Sequence, residues 1–175
     1  MTDKEKLAAM LAEARIMEKR TIEILEGRAD RIRNHPEVVE RFKKHIKETS
    51  WQIAAIEAGL KQLGVENFQA ESPALADIGC LLASGDVIRN SIANSAFERF
   101  EMAVYSRIAE AAEKAAEHEI ARTAGTIMRQ EETMAEWLEE HLAQTPLVYL
   151  MFDEINAAVS EGTDSGPRVA AGPLH

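Results

Sequence analysis

The stretch "AFERFEMAVYSRI", residues 96–108, combines a helical apolar pattern with two glutamates three positions apart. Its apolar residues recur at helical spacing and mark the side that we expect to face inward: Phe97, Phe100, Val104 and Ile108. At about 100° per residue, Glu101 points only about 40° away from Phe97. A carboxylate aimed at a core costs several kcal/mol unless something pairs with it. Either this face is not core, or the charge of Glu101 has a partner.

The composition limits the class of protein before any further motif is considered. The chain has 175 residues, enough for one domain with a sizeable core, and its 30 acidic against 20 basic residues give a net charge of −10. We therefore expect no nucleic-acid partner, because binding to phosphates rests on cationic contacts. The N-terminal residues lack the apolar segment of a signal peptide, and no run of about 18 apolar residues occurs, so we expect a cytoplasmic protein without a membrane partner. The single cysteine, Cys80, excludes an internal disulfide and a zinc site built from cysteines.

Alanine and glutamate dominate the chain and aromatic residues make up only 5% of it, which indicates an all-α fold. The positions of glycine and proline divide the sequence into four long predicted helices. These run from about Asp3 to Glu26, Pro36 to Leu63, Val87 to Ala115 and Glu117 to Leu142. The last boundary falls in "EKAAEHE", which has neither glycine nor proline and marks the turn most weakly.

The connections between the predicted helices indicate how they are arranged. Residues 65–86 form a crossover of about 20 residues, with a short helix begun at Ser72, which is too long for an up-down-up-down bundle. Two helical hairpins joined by such a crossover predict a ferritin-like four-helix bundle. A short apolar helix after Pro146 completes a domain of residues 1–158, and residues 159–175 have the composition of a flexible tail.

Three of the long helices place a glutamate on their apolar stripe: Glu18 on the first, Glu101 on the third and Glu131 on the fourth. Glu132 points about 100° further round, towards solvent. Glu18 and Glu48 are 30 residues apart, and so are Glu101 and Glu131. In an antiparallel hairpin, residues equidistant from the turn lie at the same height. We therefore expect four carboxylates to converge near the middle of the bundle, where their mutual repulsion favours bound cations. The alternative is a structural network in which each carboxylate pairs with an arginine or lysine.

The second helix is the weakest contributor to this set of carboxylates. Glu48 stands about 120° from the centre of the stripe formed by Phe42, Ile46, Thr49, Ile53, Ile56 and Leu60. His45, one turn before Glu48, is the nearest candidate for a nitrogen ligand, and the alternative is a half-exposed histidine that makes a hydrogen bond. Gln52 and Tyr105 fit donors that orient carboxylate ligands. Glu98 lies on the shoulder of its stripe and is a further candidate ligand.

Four stretches carry a resemblance to a known family: "ARIMEKRTIEIL", "HPEVVERFKKHIKETSWQIAAIEAGLKQLG", "AFERFEMAVYSRI" and "RQEETMAEWLEEHL". Over about residues 5–143, the chain resembles the ferritin-like bacterial proteins typified by YciE and YciF. The H-x-x-E-T run on the second helix and the E-x-x-E-x-x-x-Y run on the third are the most specific features in combination. The resemblance implies a ferritin-like bundle, a homodimer, a dinuclear metal site and a link to stress responses. Carried over by position, it supports as metal ligands Glu18, Glu48, Glu101 and either Glu131 or Glu132, with Glu98 close by.

The chain departs from the ferritin pattern at positions where histidine is usual. Ferritins and bacterioferritins usually carry E-x-x-H on the second and fourth helices, whereas at that spacing this chain has Trp51 and Met134. Coordination by oxygen alone favours hard cations and weakens the case for fast chemistry between iron and dioxygen. Arg99 stands where the family often has histidine, and a cation there could replace the charge of a metal.

Two functions of different classes fit these residues. The first is a carboxylate-bridged dinuclear protein of iron or manganese that consumes peroxide or stores small amounts of metal, and whether it is an enzyme stays open. The alternative is a non-enzymatic helical bundle that mediates association, with a degenerate metal site and with its carboxylates paired or protonated. The apolar segment from Leu147 to Phe152 suits that alternative, because it needs a surface to cover. A storage cage is not indicated, since nothing in the sequence marks a cage interface.

Overall fold

The computed structural model describes residues 1–29, 36–65 and 87–144, and within those ranges it contains four long α-helices. They are α1 Asp3–Ala29, α2 Pro36–Gln62, α3 Val87–Lys114 and α4 His118–Gln144. No strand occurs in the described ranges, so the predicted all-α class is confirmed. Each helix boundary lies within three residues of its predicted position. The predicted crossover helix, C-terminal helix and tail, together with Cys80, lie outside the described residues.

The ends of α2 and α3 are closed by the same hydrogen-bonded turn. After α2, Gly64 adopts a φ of 78°, and the next N–H reaches back to the Leu60 carbonyl at 3.0 Å. After α3, Ala116 takes the same place with a φ of 58°, and the next N–H reaches back to the Ala112 carbonyl at 2.8 Å. Glycine enters this left-handed region freely, whereas alanine does so at a cost of about 1–2 kcal/mol. The corner between α3 and α4 is therefore made without a glycine, which explains why the sequence marks it so weakly.

The helices form two hairpins whose members run antiparallel. In the first, Arg15 of α1 pairs with Glu57 of α2 at 2.6 Å. One turn earlier on α1, Leu11 packs against Gly59, which lies further along α2. In the second hairpin, α3 and α4 fold back on each other at the Ala116 corner and pack together closely. These contacts agree with the two helical hairpins that the sequence predicts.

The two hairpins also pack antiparallel to each other. Tyr105 of α3 contacts Glu18 of α1. One turn earlier on α3, Glu101 contacts Thr21, which lies further along α1. Since α1 is antiparallel to both α2 and α3, these two helices run in the same direction, and the connection between them joins opposite ends of the bundle. This is the ferritin-like connectivity that the length of the crossover predicts.

The core consists of two apolar clusters with a polar layer between them. The larger cluster fills one end of the bundle and includes Leu7, Leu11, Ile56, Ile108, Ile120 and Ile127. The smaller cluster comprises Leu25, Phe42, Met134 and Leu138. Burial of these side chains supplies the main free energy that holds the helices together. None of the described helices is long and apolar enough to cross a membrane.

Two inner faces differ from the apolar stripes that the sequence predicts. On α3, Phe100 is 38% exposed and stacks on Phe97, while Glu98 and Tyr105 turn into the core. On α2, Ile46 is only partly buried, whereas the fully buried side chains include three polar ones: His45, Thr49 and Gln52. The predictions that Phe100 faces inward and that Glu98 lies on a shoulder are therefore wrong. Both faces are rotated towards their polar residues, and of these Tyr105, Gln52, and the pair Glu98 and His45 have partners on other helices.

Candidate metal centre

Five titratable side chains from all four helices meet in the polar layer, each fully buried or nearly so: Glu18, His45, Glu98, Glu101 and Glu131. These five residues form the buried cluster. His45 Nε2 lies 3.3 Å from Glu98 Oε2 and 3.3 Å from Glu131 Oε2. One potential ligand atom from each of these three residues lies within 4.8 Å of the other two. The helices thus bring four carboxyl groups together, and His45 is the only basic side chain of the buried cluster.

Three neutral side chains each donate a hydrogen bond to one carboxylate oxygen of the buried cluster: Tyr105 to Glu18, Thr21 to Glu101 at 2.9 Å, and Gln52 to Glu131. The sequence predicts Tyr105 and Gln52 as donors to carboxylates, and both are confirmed. It does not single out Thr21, whose only signal is that it follows Glu18 by three residues on the same face of α1. These bonds hold the carboxylates in fixed orientations.

Within the described part of the chain, four atoms of the buried cluster have no hydrogen-bond partner: Oε2 of Glu18, Glu98 and Glu101, and Nε2 of His45. Although His45 Nε2 is 3.3 Å from two carboxylate oxygens, the direction to neither oxygen suits a hydrogen bond. Unsatisfied polar atoms in a core cost free energy, and unpaired charges cost more. A cation bound among these atoms removes that cost. The donor set of carboxylates and one imidazole therefore fits a divalent metal ion.

Burial and mutual repulsion raise the pKa of three carboxyl groups of the buried cluster. Burial, reinforced by the charge of Glu131, raises the pKa of Glu18 well above its ordinary value. Burial and then the charge of Glu18 do the same to the pKa of Glu101. Burial raises the pKa of Glu131 to about 7, although its contact with His45 opposes the change. Burial lowers the pKa of His45, but the surrounding carboxylates outweigh it and raise that pKa well above its ordinary value.

Glu48 lies beside the buried cluster and contacts His45 from the other side. Its side chain is 22% exposed, and its Oε2 lies 3.2 Å from His45 Nδ1. Arg41 Nη1 lies 3.3 Å from the same oxygen. The hydrogen bond with His45 is the largest cause that lowers the pKa of Glu48 to about 2, so this carboxylate stays ionised at neutral pH. In the neutral imidazole that a metal requires, an Nδ1–H donated to Glu48 leaves the lone pair of His45 Nε2 facing the cluster.

The predicted ligand candidates fall into two groups. The structure brings five of them together in the buried cluster and leaves two outside, Glu48 and Glu132. The spacing along the chain places Glu48 at the height of the buried cluster, but its side chain points to the flank of α2 and not into the core. Glu132 is half-buried and lies near Arg99. Arg99 is 42% exposed and pairs with Glu139 at 3.1 Å, so the prediction that its charge replaces that of a metal is wrong.

Arg41 is a neighbour of the site that the sequence does not single out. Its side chain is only 9% exposed, and its Nη2 has no hydrogen-bond partner among the described residues. Arg41 precedes His45 by one helical turn, and this spacing is the only feature of the sequence that indicates its place beside the site. Through Glu48, its positive charge supports the carboxylate that contacts the imidazole.

These features define the class of protein as an antiparallel four-helix bundle with carboxylates and a histidine buried at mid-height, a layout that suits a metal centre. The chain belongs to the family described as a domain of unknown function, DUF892, whose sequence pattern matches residues 2–150.

Two solved structures share the fold. Protein XCC3681 from Xanthomonas campestris pathovar campestris is 29% identical, with a TM-score of 0.74 over 88% of this chain and 99% of its own. YcfI from Rhodopseudomonas palustris, described as a candidate structural protein, is 19% identical, with a TM-score of 0.70 over 79% of this chain and 94% of its own. At the lower identity, the likeness to YcfI concerns the fold alone.

Proposed function

We propose that this protein is a ferritin-like metal protein that holds two divalent ions, iron or manganese, in the buried cluster. One observation carries the proposal: three carboxylate oxygens and one imidazole nitrogen converge in the core without hydrogen-bond partners among the described residues. A metal-free core gains nothing from such an arrangement, because each of these atoms has lost its contact with water. Divalent cations supply the missing partners for all of them.

The contacts suggest how the ligands are shared. His45, Glu98 and Glu131 would hold one ion, since their ligand atoms already lie within 4.8 Å of one another. Glu18 and Glu101 would hold the second, because each has a buried Oε2 without a hydrogen-bond partner among the described residues and the charge of Glu18 acts on Glu101. The charges of Glu98 and Glu131 both act on Glu18 and on Glu101, so the two groups of ligands lie close together. In this assignment Glu48 orients His45, and neither Glu48 nor Glu132 binds metal.

His45 changes the expected chemistry of the site. The absence of the usual E-x-x-H histidines predicts coordination by oxygen alone. However, α2 carries the reversed motif H-x-x-E, in which His45 precedes Glu48 by three residues. Carboxylates alone already suit manganese, and a nitrogen ligand widens the choice of metal to iron. When bound, such ions supply redox or Lewis-acid chemistry. The chain itself binds them, fixes its carboxylates through neutral donors and keeps bulk water out of the layer.

The wider setting of the protein is part of the same proposal. The resemblance to YciE and YciF supports a stress-related role and a homodimer. We place the protein in the cytoplasm, in keeping with its acidic composition and its net charge of −10.

Elemental analysis of protein purified without chelator tests the proposal. We expect about two ions per chain, and the same after chelation and anaerobic reloading with Fe²⁺ or Mn²⁺. The double variant Glu101→Gln, Glu131→Gln should lose the metal, whereas Glu132→Gln, a matched change next to the cluster, should keep it. Circular dichroism checks that each variant is folded. If the parent binds no metal even after anaerobic loading, the proposal fails, and an association protein with a degenerate site takes its place.

A further inference from the structure

A cavity of about 300 Å³ lies between α2 and α4, next to the buried cluster. Its space exists because the facing positions carry small residues: Ala55, Ala58, Gly59 and Ala124. A methyl group added at Gly59 would meet Ile120 and Leu11 at 3.5 Å, which is an ordinary contact distance. The position therefore has room for a methyl group without a steric clash. The inner end of the cavity reaches Tyr105 and Ile108, which are almost fully buried. The cavity therefore runs from the surface into the bundle.

The inner end of the cavity adjoins the candidate metal centre. Three of its lining residues each lie one helical turn from a residue in or bonded to the buried cluster: Ile56 from Gln52, Tyr105 from Glu101, and Ile127 from Glu131. One turn corresponds to about 5–6 Å along a helix axis. Tyr105 belongs to both places, because its ring lines the cavity while its hydroxyl donates to Glu18. Tyr105 thus separates the cavity from the cluster.

The lining indicates the charge of a molecule that would fit. Of the described residues that line the cavity, only Glu119 is charged, and it lies exposed at the rim. An anion would meet Glu119 at the entrance and the cluster carboxylates beyond the inner end. A cation would lose its water against walls that are mainly apolar and that offer it few acceptors beyond Gln62 and Thr123. Both charges are disfavoured, so the cavity suits a neutral molecule.

The volume indicates the size of that molecule. An apolar cavity of about 150 Å³ holds one benzene molecule, and ligand pockets begin at about 300 Å³. We propose that this cavity binds a small, neutral, mainly apolar organic molecule of about six to ten non-hydrogen atoms and presents it to the metal centre across Tyr105. Binding of the molecule is independent of the metal, but its role as the substrate of the centre rests on the proposed function.

Three probes of equal chain length and different charge test the binding site: hexan-1-ol, hexanoate and hexylammonium. Isoleucine methyl signals of the chelated protein report binding by NMR. We expect hexan-1-ol to shift the signals of Ile108 and Ile127 saturably, and we expect the two ions to bind at least about tenfold more weakly. Equal binding of all three probes, or shifts confined to isoleucines that do not line the cavity, overturns the proposal.

A matched pair of substitutions on α2 tests the location. Ala55→Leu fills the cavity and should weaken hexan-1-ol binding about tenfold or more, whereas Ala54→Leu adds the same side chain to the exposed neighbouring position and should not. Ala58→Leu, at an exposed lining position, provides a second variant that does not disturb the core. Hexan-1-ol binding that is unchanged in both Ala55→Leu and Ala58→Leu overturns the proposal.

Loading with Mn²⁺ tests separately whether the bound molecule lies next to the metal centre. Paramagnetic Mn²⁺ should broaden the signals of bound hexan-1-ol, and diamagnetic Zn²⁺ should not. Bound hexan-1-ol that Mn²⁺ leaves sharp, in protein shown to hold the metal, contradicts the placement next to the centre. If the protein binds hexan-1-ol but no metal, the cavity assignment stands and the proposed function fails.

Discussion

At the scale of single residues, polar side chains share the best-buried positions of this bundle with apolar ones. Glu18, Glu101 and His45 are fully buried, whereas Trp51 and Phe100 are 47% and 38% exposed. Burying an unpaired charge costs more free energy than burying an aromatic ring gains, so the stability of a metal-free fold does not explain this inversion. A cation that binds the buried groups does explain it. On the proposed function, the arrangement of these residues favours the bound ligand over the stability of the empty core.

The metal-free protein should lose stability as the pH rises from about 5 to about 8. Burial raises the folded-state pKa of Glu131 to about 7 and those of Glu18 and Glu101 well above their ordinary values. A group whose pKa is higher in the folded state binds more protons when folded, so the free energy of unfolding falls as the pH rises. The raised pKa of His45 acts in the same direction. Urea unfolding of chelated protein across this pH range measures the slope.

A substitution within the cluster identifies the groups responsible for that slope. Glu131→Gln removes one titrating carboxyl and should flatten the pH dependence, whereas Glu132→Gln, one residue along and outside the cluster, should leave it unchanged. Glu48 does not interfere, because its pKa of about 2 lies below the range. A chelated parent protein that becomes more stable between pH 5 and pH 8 contradicts the prediction.

Glu48→Gln should weaken Mn²⁺ binding about 10- to 100-fold while the number of ions per chain stays the same. The reason is that an amide oxygen is a weaker acceptor than a carboxylate for the Nδ1 proton of His45, so the imidazole is held less firmly and is less basic. Titration calorimetry on chelated protein measures both quantities. Glu57→Gln, on the outer side of α2, is the control and should bind as the parent does. Loss of one ion per chain in Glu48→Gln would make Glu48 a ligand itself.

At the scale of helices, the ends are predictable where a single residue type marks them. Pro36 opens α2, and Gly64 closes it in a left-handed conformation, as the sequence predicts. The α3–α4 corner has no such marker, because Ala116 adopts the left-handed conformation that glycine usually takes. Packing of the second hairpin stabilises that corner against the local preference of alanine.

Ala116→Gly should therefore raise the free energy of unfolding by about 1 kcal/mol. The substitution removes the cost of a left-handed alanine, which exceeds the entropy that an added glycine gives to the unfolded chain. Ala103→Gly, at an exposed position inside α3, is the matched control and should lower the free energy of unfolding by about 0.5–1 kcal/mol. Urea unfolding at one pH measures both variants. Equal destabilisation by both would show that the corner is not strained.

At the scale of the whole molecule, the sequence predicts the fold more completely than the site. The height of each site residue follows from its distance to the turn, and Glu18, Glu101 and Glu131 accordingly lie in one layer. The rotation of each helix about its axis does not follow from the sequence. An assignment of the inner face by hydrophobicity places Phe100 inside and Glu98 at the edge. Which face turns inward depends on the packing of the two hairpins, and here the polar layer determines it.

Because the buried cluster draws on all four helices, metal binding should stabilise the entire bundle and not one hairpin. At a free Mn²⁺ concentration of about 100 times Kd, linkage predicts that one site adds about 2.7 kcal/mol to the free energy of unfolding. The gain should appear as a shift of a single unfolding transition followed by circular dichroism, and a chelator should reverse it. The double variant Glu101→Gln, Glu131→Gln should show no gain, whereas Glu132→Gln should show all of it. A gain that persists in the double variant would place the ions on the acidic surface, where a net charge of −10 attracts cations without a built site.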